Sequence, residues 1–471
     1  MKQQKQLGLW LLVFVSLGSM IGSGIFNSPK DLINVANPLG TLLTWMAGGV
    51  GALILALVFV YLSGKKPQLQ SGVFAYAKEG FGDYMGFNSA WGYWSVGWLG
   101  NISYLVFFFK TLNDLLGAHA LSPLTCFILG SGILWFYYII LMSGVREGAI
   151  LNFLVTVAKL VPIVLIILLG IALVDGDIFN VPDWQTKLAA NGESTTPLLQ
   201  IKDAMAVVLW CFVGIEAASV LSGRAKNQQT VRRAIIISVL SVLAIYMLIT
   251  FIAMASIPAQ ELTASDTPLA LVLERTSIGA AGAVIVKVGI MISVLGASLS
   301  WIILSVETMY AASREGVMPK ILAKVNKKGT PINALLFTQL FTQFFLLSIL
   351  SPALNETYLI VITIGTAMVL IPYLLSSLYA ARISFADKQE RSINKIIAVL
   401  GTLYATYVIY AVGLKYLFLS IIFYAIGALL FLKAKHEKRE KPKHWEWAFM
   451  LTLIAAAIVL TVLIINGTVQ L

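Results

Sequence analysis

Two glycines around a serine, Gly22-Ser23-Gly24, sit well inside an apolar run at residues 8–28. Glycine costs about 1 kcal/mol against alanine inside a helix, so this trio predicts a break in the run. A broken helix leaves backbone N–H groups free on one half and carbonyls free on the other. The N–H end suits a carboxylate and the carbonyl end suits an ammonium. An α-amino acid presents both groups a short distance apart. A second, weaker interruption, Phe212-Val213-Gly214-Ile215-Glu216, lies in another apolar run at 200–223. Small residues also mark close helix packing in membranes, so the first motif alone leaves both readings open.

Charges inside apolar runs narrow the choice. Glu216 closes the second interruption, and Lys159 stands midway along the run 148–174 with apolar residues on both sides. A charge at the centre of a bilayer costs at least about 2.5 kcal/mol, so it is functional or paired. Glu307 is open between those two roles. Lys110, Asp114, Lys202, Asp203 and Lys287 lie nearer the ends of their runs and are expected to snorkel to the outer interface. Of the 11 tryptophans, Trp445 and Trp447 fit an interfacial belt, whereas Trp210 and Trp301 lie deep. An indole face attracts cations, guanidinium especially.

The elements that must position these residues follow from composition. The chain has 471 residues, of which 59% are hydrophobic and only 12% charged. The apolar residues are gathered into runs of about 20, the length that crosses a hydrocarbon core of roughly 30 Å. Lipid offers no partner for backbone N–H and C=O groups, so such runs are helices. Thirteen spans are predicted: TM1 8–28, TM2 38–63, TM3 86–116, TM4 121–143, TM5 148–174, TM6 200–223, TM7 231–256, TM8 278–312, TM9 331–351, TM10 357–381, TM11 394–413, TM12 416–433 and TM13 447–466. TM1 lacks a small-residue cleavage pattern and is followed at once by further spans, so it reads as a span and not as a cleaved signal.

The formal charge is +11, and its placement argues against nucleic acid as a partner. About 25 of the 33 Lys and Arg fall in alternate loops, among them Lys2, Lys5, Lys65, Lys66, Arg146, Arg224 and Arg314. That puts the N-terminus in the cytoplasm of a plasma-membrane protein. The loop at 175–199 carries Asp175, Asp177, Asp183 and Glu193 against Lys187 and belongs outside. The basic stretch at 433–444 is expected to anchor anionic headgroups. Cys126 and Cys211 lie inside apolar runs and form no metal motif. His119, His436 and His444 sit near loops, so no His-rich metal site is expected, and no cofactor either. Within the spans no His, Asp and Cys group into a nucleophile–base pair, which argues against an enzyme.

The two interruptions are five spans apart, so their halves enter the membrane from opposite sides. That is the mark of an inverted repeat with discontinuous helices at the midplane. The expected organisation is a first repeat at 1–174, an outer loop at 175–199, a second repeat at 200–383, and C-terminal helices at 384–471 with a basic loop at 433–446.

These stretches resemble the amino acid–polyamine–organocation superfamily, within it the basic amino acid/polyamine antiporters, and most of all the bacterial arginine/ornithine exchangers. The matching segments are GSMIGSGIFNSP, GVFAYAKEGFGDYMGFNSAWGYW, LWCFVGIEAASVLSGRAKN, ETMYAASREGVMPKILAKVNKKGTPINAL and VLIPYLLSSLYA, across about residues 7–435. TM13 lies beyond the twelve spans of better-known relatives. The resemblance implies a substrate carboxylate on Ser23 and the N–H of Gly24. It implies an α-amino group on the carbonyls of Ile21, Trp210 and Val213, and a side chain reaching Asn101 and stacking on Trp301. Gly365 and Thr366 replace the related exchanger's pocket serine, and Val96 and Gly97 replace its small residues. Tyr93, Glu216 and Tyr373 match a gating cluster. Lys159 matches a lysine standing where sodium-coupled relatives bind their ion. The implied function is exchange of a cationic amino acid for its metabolic product, most simply arginine for ornithine. Proton-coupled uptake stays open, as do lysine/cadaverine, agmatine/putrescine, histidine/histamine and tyrosine/tyramine exchange. The partners expected are an amino acid or amine substrate and the bilayer, and the reading allows a homodimer.

Overall fold

The computed structural model describes residues 6–69, 71–175, 187–188, 194–350 and 354–466. Lys2, Lys5, Asp177, Asp183 and Glu193 lie outside them. In chain order the helices are α1 (Leu9–Met20), α2 (Ser23–Val35), α3 (Pro38–Lys65), α4 (Val73–Phe81), α5 (Asp83–Leu116), α6 (Pro123–Met142) and α7 (Val145–Gly170). Then come α8 (Pro197–Phe212), α9 (Ala217–Val220), α10 (Gln228–Ser256), α11 (Ala259–Ala264), α12 (Pro268–Glu274) and α13 (Gly279–Arg314). The last are α14 (Ile332–Phe345), α15 (Leu354–Ala386), α16 (Ser392–Val412), α17 (Leu414–Glu437) and α18 (His444–Ile465). Two two-residue strands, Lys187–Leu188 and Ser194–Thr195, pair antiparallel in the loop before α8.

Eleven described helices or helix pairs are long and apolar enough to cross a membrane, and the pair Pro197–Phe212 and Ala217–Arg224, bent by 41°, makes a twelfth. The thirteenth predicted span is α5. Its Gly, Ser, Asn and Trp residues lower its hydropathy, but at 34 residues it is about 50 Å long. It lies at the centre of the molecule against α13 and α15. A helix surrounded by protein needs no lipid-facing apolar surface, so its polar content carries no penalty of exposure. The short helices α4, α11 and α12 were not legible as spans and lie between them.

The packing repeats with inverted sense. α1 lies on α10 as α8 lies on α3; α7 lies on α13 as α15 lies on α5. The pairs α3–α10 and α5–α13 join equivalent helices of the two halves. Even the short helices correspond, α4 preceding and packing on α5 as α12 precedes and packs on α13. The fold is therefore an all-α membrane architecture of five plus five inverted spans followed by three more. Caps set the helix starts: Asn37 accepts from Gly40 N, Thr196 from Leu199 N and Asn227 from Thr230 N.

Two groups of charges differ from expectation. Lys110 pairs with Asp266 at 2.9 Å and Lys287 with Asp114 at 2.9 Å, so these lysines end on carboxylates of other elements, a pairing that the expected snorkelling did not include. Lys435, expected among free basic residues, is buried and pairs at 2.8 Å with both Asp83 and Glu440. Its ammonium holds the Glu440 carboxyl below the usual carboxylate range. Glu437 also accepts from Lys320 N at 2.6 Å. The C-terminal end of α17 is thus docked on the start of α5 and on the turn that follows α13. Carboxylates distant in sequence offer a better partner than headgroups to a lysine already losing water.

At the α5–α13 crossing Gly97 faces Ser305, and a Cβ there would also lie 3.2 Å from the Trp301 carbonyl. Gly97→Val should therefore lower the melting temperature in detergent by several degrees, the effect of an overpacking cost of about 1–3 kcal/mol. An unchanged melting temperature would show that the crossing can open without cost.

Candidate functional site

The two interruptions lie where glycine and serine placed them, and they meet. α1 stops at Met20 and α2 starts at Ser23, leaving Ile21 and Gly22 outside helical geometry, with Gly22 at φ −122° and ψ −133°. α8 stops at Phe212 and α9 starts at Ala217. Gly214, at φ +113°, takes a conformation that a side chain would strain. A Cβ on Gly214 would come 2.6 Å from Ser19 Oγ, and one on Gly24 would come 3.0 Å from Cys211 Sγ. Each broken end therefore touches the other span.

The two ends of the first break differ in how they are satisfied. On the carbonyl side, side chains take the freed acceptors. Lys159 donates to Gly18 O at 3.0 Å and also to Ile21 O. Trp301 Nε1 donates to Ser19 O at 3.0 Å. Tyr246 donates to Met20 O at 2.8 Å, and Ser293 to Ile21 O at 3.2 Å. An orphaned buried carbonyl costs about 1–3 kcal/mol, so four side chains from α7, α10 and α13 hold this end in place. On the N–H side, α2 begins with no side-chain cap, and the fully buried Ser23 hydroxyl has no hydrogen-bond partner among the described residues. The anion-binding half of the break is open while the cation-binding half is filled.

That asymmetry changes one expectation. Ile21 was expected to meet a substrate amino group through its carbonyl, but here both lone pairs are engaged, by Lys159 and Ser293. Trp210 O accepts from Val213 N at 3.2 Å and keeps one lone pair. The Lys159 ammonium, fully buried, sits on two backbone carbonyls with no carboxylate among its hydrogen-bond partners.

The remaining predicted residues line the same core. Trp210 borders Gly24, Gly100 and Gly365: a Cβ on Gly365 would lie 3.5 Å from its ring and 3.5 Å from Val96. Thr366 is buried next to Gly365 on α15. Trp301 and Tyr93 have ring centroids 5.7 Å apart. Asn101 is fully buried on α5, one turn beyond Gly97, and among the described residues neither its amide nitrogen nor its oxygen has a hydrogen-bond partner. The hydroxyls of Ser298 and Ser305 are likewise buried and without a hydrogen-bond partner among the described residues, while the Tyr93 hydroxyl faces the Glu216 carboxylate. Buried polar atoms are normally satisfied, so orphaned groups such as these are candidates to meet a polar ligand or water. Tyr373 donates to Glu216 and accepts from Gly214 N at 3.4 Å, which ties α15 to the second break.

Both faces of this core are closed by pairs of charges. On the face away from the N-terminus, Lys30 donates to Ser265 O at 2.7 Å, and Asp266 takes Lys110 while Asp114 takes Lys287. On the N-terminal face, Arg224 grips Glu307 with two hydrogen bonds, Nε to Oε2 at 2.7 Å and Nη2 to Oε1 at 2.6 Å. Leu7 and Ala225 form a backbone bridge beside that pair. The Arg224–Glu307 pairing could not be read from the sequence, because 83 positions separate its members. The outer lysine–aspartate pairs were hidden for the same reason.

Comparison with known proteins agrees with this architecture. The profile of the amino acid permease family matches residues 7–415. An arginine/ornithine antiporter of Pseudomonas aeruginosa is 39% identical over 448 residues, covering 93% of this chain and 92% of that one. An arginine/ornithine antiporter of Latilactobacillus sakei is 33% identical, covering 99% and 98%. A solved Na+-coupled sialic acid symporter, in a substrate-bound outward-open state, superposes with a TM-score of 0.54 at 13% identity over 88% of this chain and 92% of that one, a likeness of fold alone. Motifs, inverted packing and full-length similarity together make this chain a member of the amino acid permease family, multi-pass membrane transporters of the amino acid–polyamine–organocation superfamily.

Proposed function

We propose that the protein is a secondary active antiporter that exchanges arginine for ornithine across the plasma membrane, with its N-terminus in the cytoplasm. The observation that supports it best is the open N-terminus of α2. Uncapped N–H groups and the partnerless Ser23 hydroxyl face the same core as the unpaired Asn101 amide. A carboxylate would sit on Ser23 and the N–H of Gly24, where the helix dipole favours negative charge. The α-amino group would turn to the carbonyls of Trp210 and Val213, since Ile21 is already engaged. The cationic side chain would cross toward Asn101 and the face of Trp301, with Gly365 and Thr366 forming the wall opposite. Tyr93, Glu216 and Tyr373 would gate the path toward the N-terminal face.

Exchange in place of net uptake needs an empty carrier that rarely reorients, which charge pairs on both faces favour. The Lys159 amino group fills the carbonyl end of the first break, so the carrier would run without sodium. The test is transport in proteoliposomes. Labelled arginine should enter only vesicles preloaded with ornithine or arginine, and at the same rate in sodium and choline buffers. Accumulation in empty vesicles under a proton gradient would instead mark a proton-coupled permease. Competition by lysine, agmatine, histidine or tyrosine stronger than by ornithine would mark another exchange couple.

Two substitutions probe the residues. Trp301→Leu should weaken arginine binding by more than about tenfold if the indole carries a desolvated cation–π contact. Affinity unchanged by calorimetry would take Trp301 out of the site. Lys159→Ala should leave expression intact and abolish or uncouple exchange, because the carbonyls of Gly18 and Ile21 lose their donor. Exchange at the wild-type rate across the pH range would restrict Lys159 to a structural role.

A further inference from the structure

The Arg224–Glu307 pair holds more than a latch requires. Glu307 is buried on α13, about 9 Å along the helix from Trp301 toward the N-terminal face at 1.5 Å per residue. Its two oxygens meet Arg224 in a fork-to-fork arrangement. That geometry is the one a carboxylate offers any guanidinium, in a protein or in a free amino acid. Arg224 stands on the short 3-10 turn Leu221–Arg224 at the end of the second broken span, whereas Glu307 stands on an unbroken helix. Beside them opens a cavity of about 250 Å³, lined among others by Arg224, Glu307, Tyr310 and Arg314. A space of about 10–15 Å³ already admits one water, so this one admits far more. Arg314 lies 5.7 Å from the ring of Tyr310 and has no ion pair among the described residues. The cavity thus presents a carboxylate and a second, uncommitted guanidinium, matching the two ends of a basic amino acid.

We propose that Glu307 is an inner subsite for the side-chain cation of the internal substrate, and that Arg224 occupies it in the resting carrier. The proposal rests on the reading of the substrate as a cationic amino acid. The incoming guanidinium or ammonium replaces Arg224 on Glu307, while the substrate carboxylate faces Arg314. The swap never leaves the buried carboxylate unpaired, which an opening without substrate would do. Displacing Arg224 also frees the end of the second broken span from α13. Loading from the inside and unlatching are then one event, and an empty carrier stays shut. Guanidinium, able to reproduce both hydrogen bonds, competes better than ammonium at this position.

Side-resolved exchange in oriented proteoliposomes tests this. Arg224→Gln removes the internal competitor, so the KM for internal ornithine should fall by at least about threefold, as expected when a population constraint on binding is lifted. Glu307→Gln should raise the same KM by at least about tenfold, with the external KM moving far less. A pair that merely latches two helices would shift the internal KM in one direction for both variants. Shifts of the same sign, or no shift, overturn the proposal. If Glu307→Gln does not fold, Glu307→Asp takes its place: a raised internal KM beside the fall in Arg224→Gln supports the subsite, and shifts of the same sign or no shift overturn it. Wild-type protein that fails to exchange any basic amino acid would count against the substrate reading itself. Wild-type exchange with same-sign shifts would count against the subsite only.

Discussion

Everything in this molecule depends on how a broken helix is satisfied where there is no water. A stop at Met20 releases carbonyls into a low-dielectric core, and each would cost about 1–3 kcal/mol unpaired. Lys159, Trp301, Tyr246 and Ser293, from three different helices, take these carbonyls. Those four side chains do two things. They fix α1 against α7, α10 and α13, and they leave the opposite half of the break, the N–H end of α2, as the unsatisfied partner. An anion is the natural complement of that end. The architecture around it, with helices of the two halves packed in inverted pairs, brings a second break against the first so that one small volume receives dipoles from both.

The closing charges follow from the same constraint. Lys30 and Lys110 on one face, and Arg224 with Glu307 on the other, are largely withdrawn from solvent, although Asp266, the partner of both lysines, is exposed. Exposed pairs are worth little, about 0–1 kcal/mol, but separating a withdrawn pair leaves a charge without compensation. Opening such a carrier on either side requires something to replace the partner that leaves, and on the proposed reading the charge of the substrate does so. The docking of Lys435 on Asp83 and Glu440 ties the C-terminal end of α17 to the start of α5 and to the loop that follows α17.

Much of this could be read from residue types alone. Glycine within an apolar run announced both breaks, run length gave the spans, and lysine and glutamate in lipid-length segments pointed to Lys159 and Glu216. The side chains that serve as partners were not readable. Ile21 looked available because nothing local shows that Lys159 and Ser293 converge on it. Lys110 and Lys287 looked like snorkelling residues because Asp266 and Asp114 lie on other elements. α4, α11 and α12 escaped because short amphipathic helices between spans carry neither the length of a span nor the polarity of a loop. What sequence conveys here is local conformational preference and burial; what it withholds is long-range pairing, the very property that fixes which broken end is open.

The account stands or falls on a carboxylate being held at the open end of α2. Calorimetric titration of the purified protein with arginine, with its methyl ester and with its decarboxylated amine tests that directly. The account predicts that both carboxylate-free ligands bind at least about tenfold more weakly than arginine, the loss of one charge-assisted set of hydrogen bonds. Equal affinity for all three would contradict it.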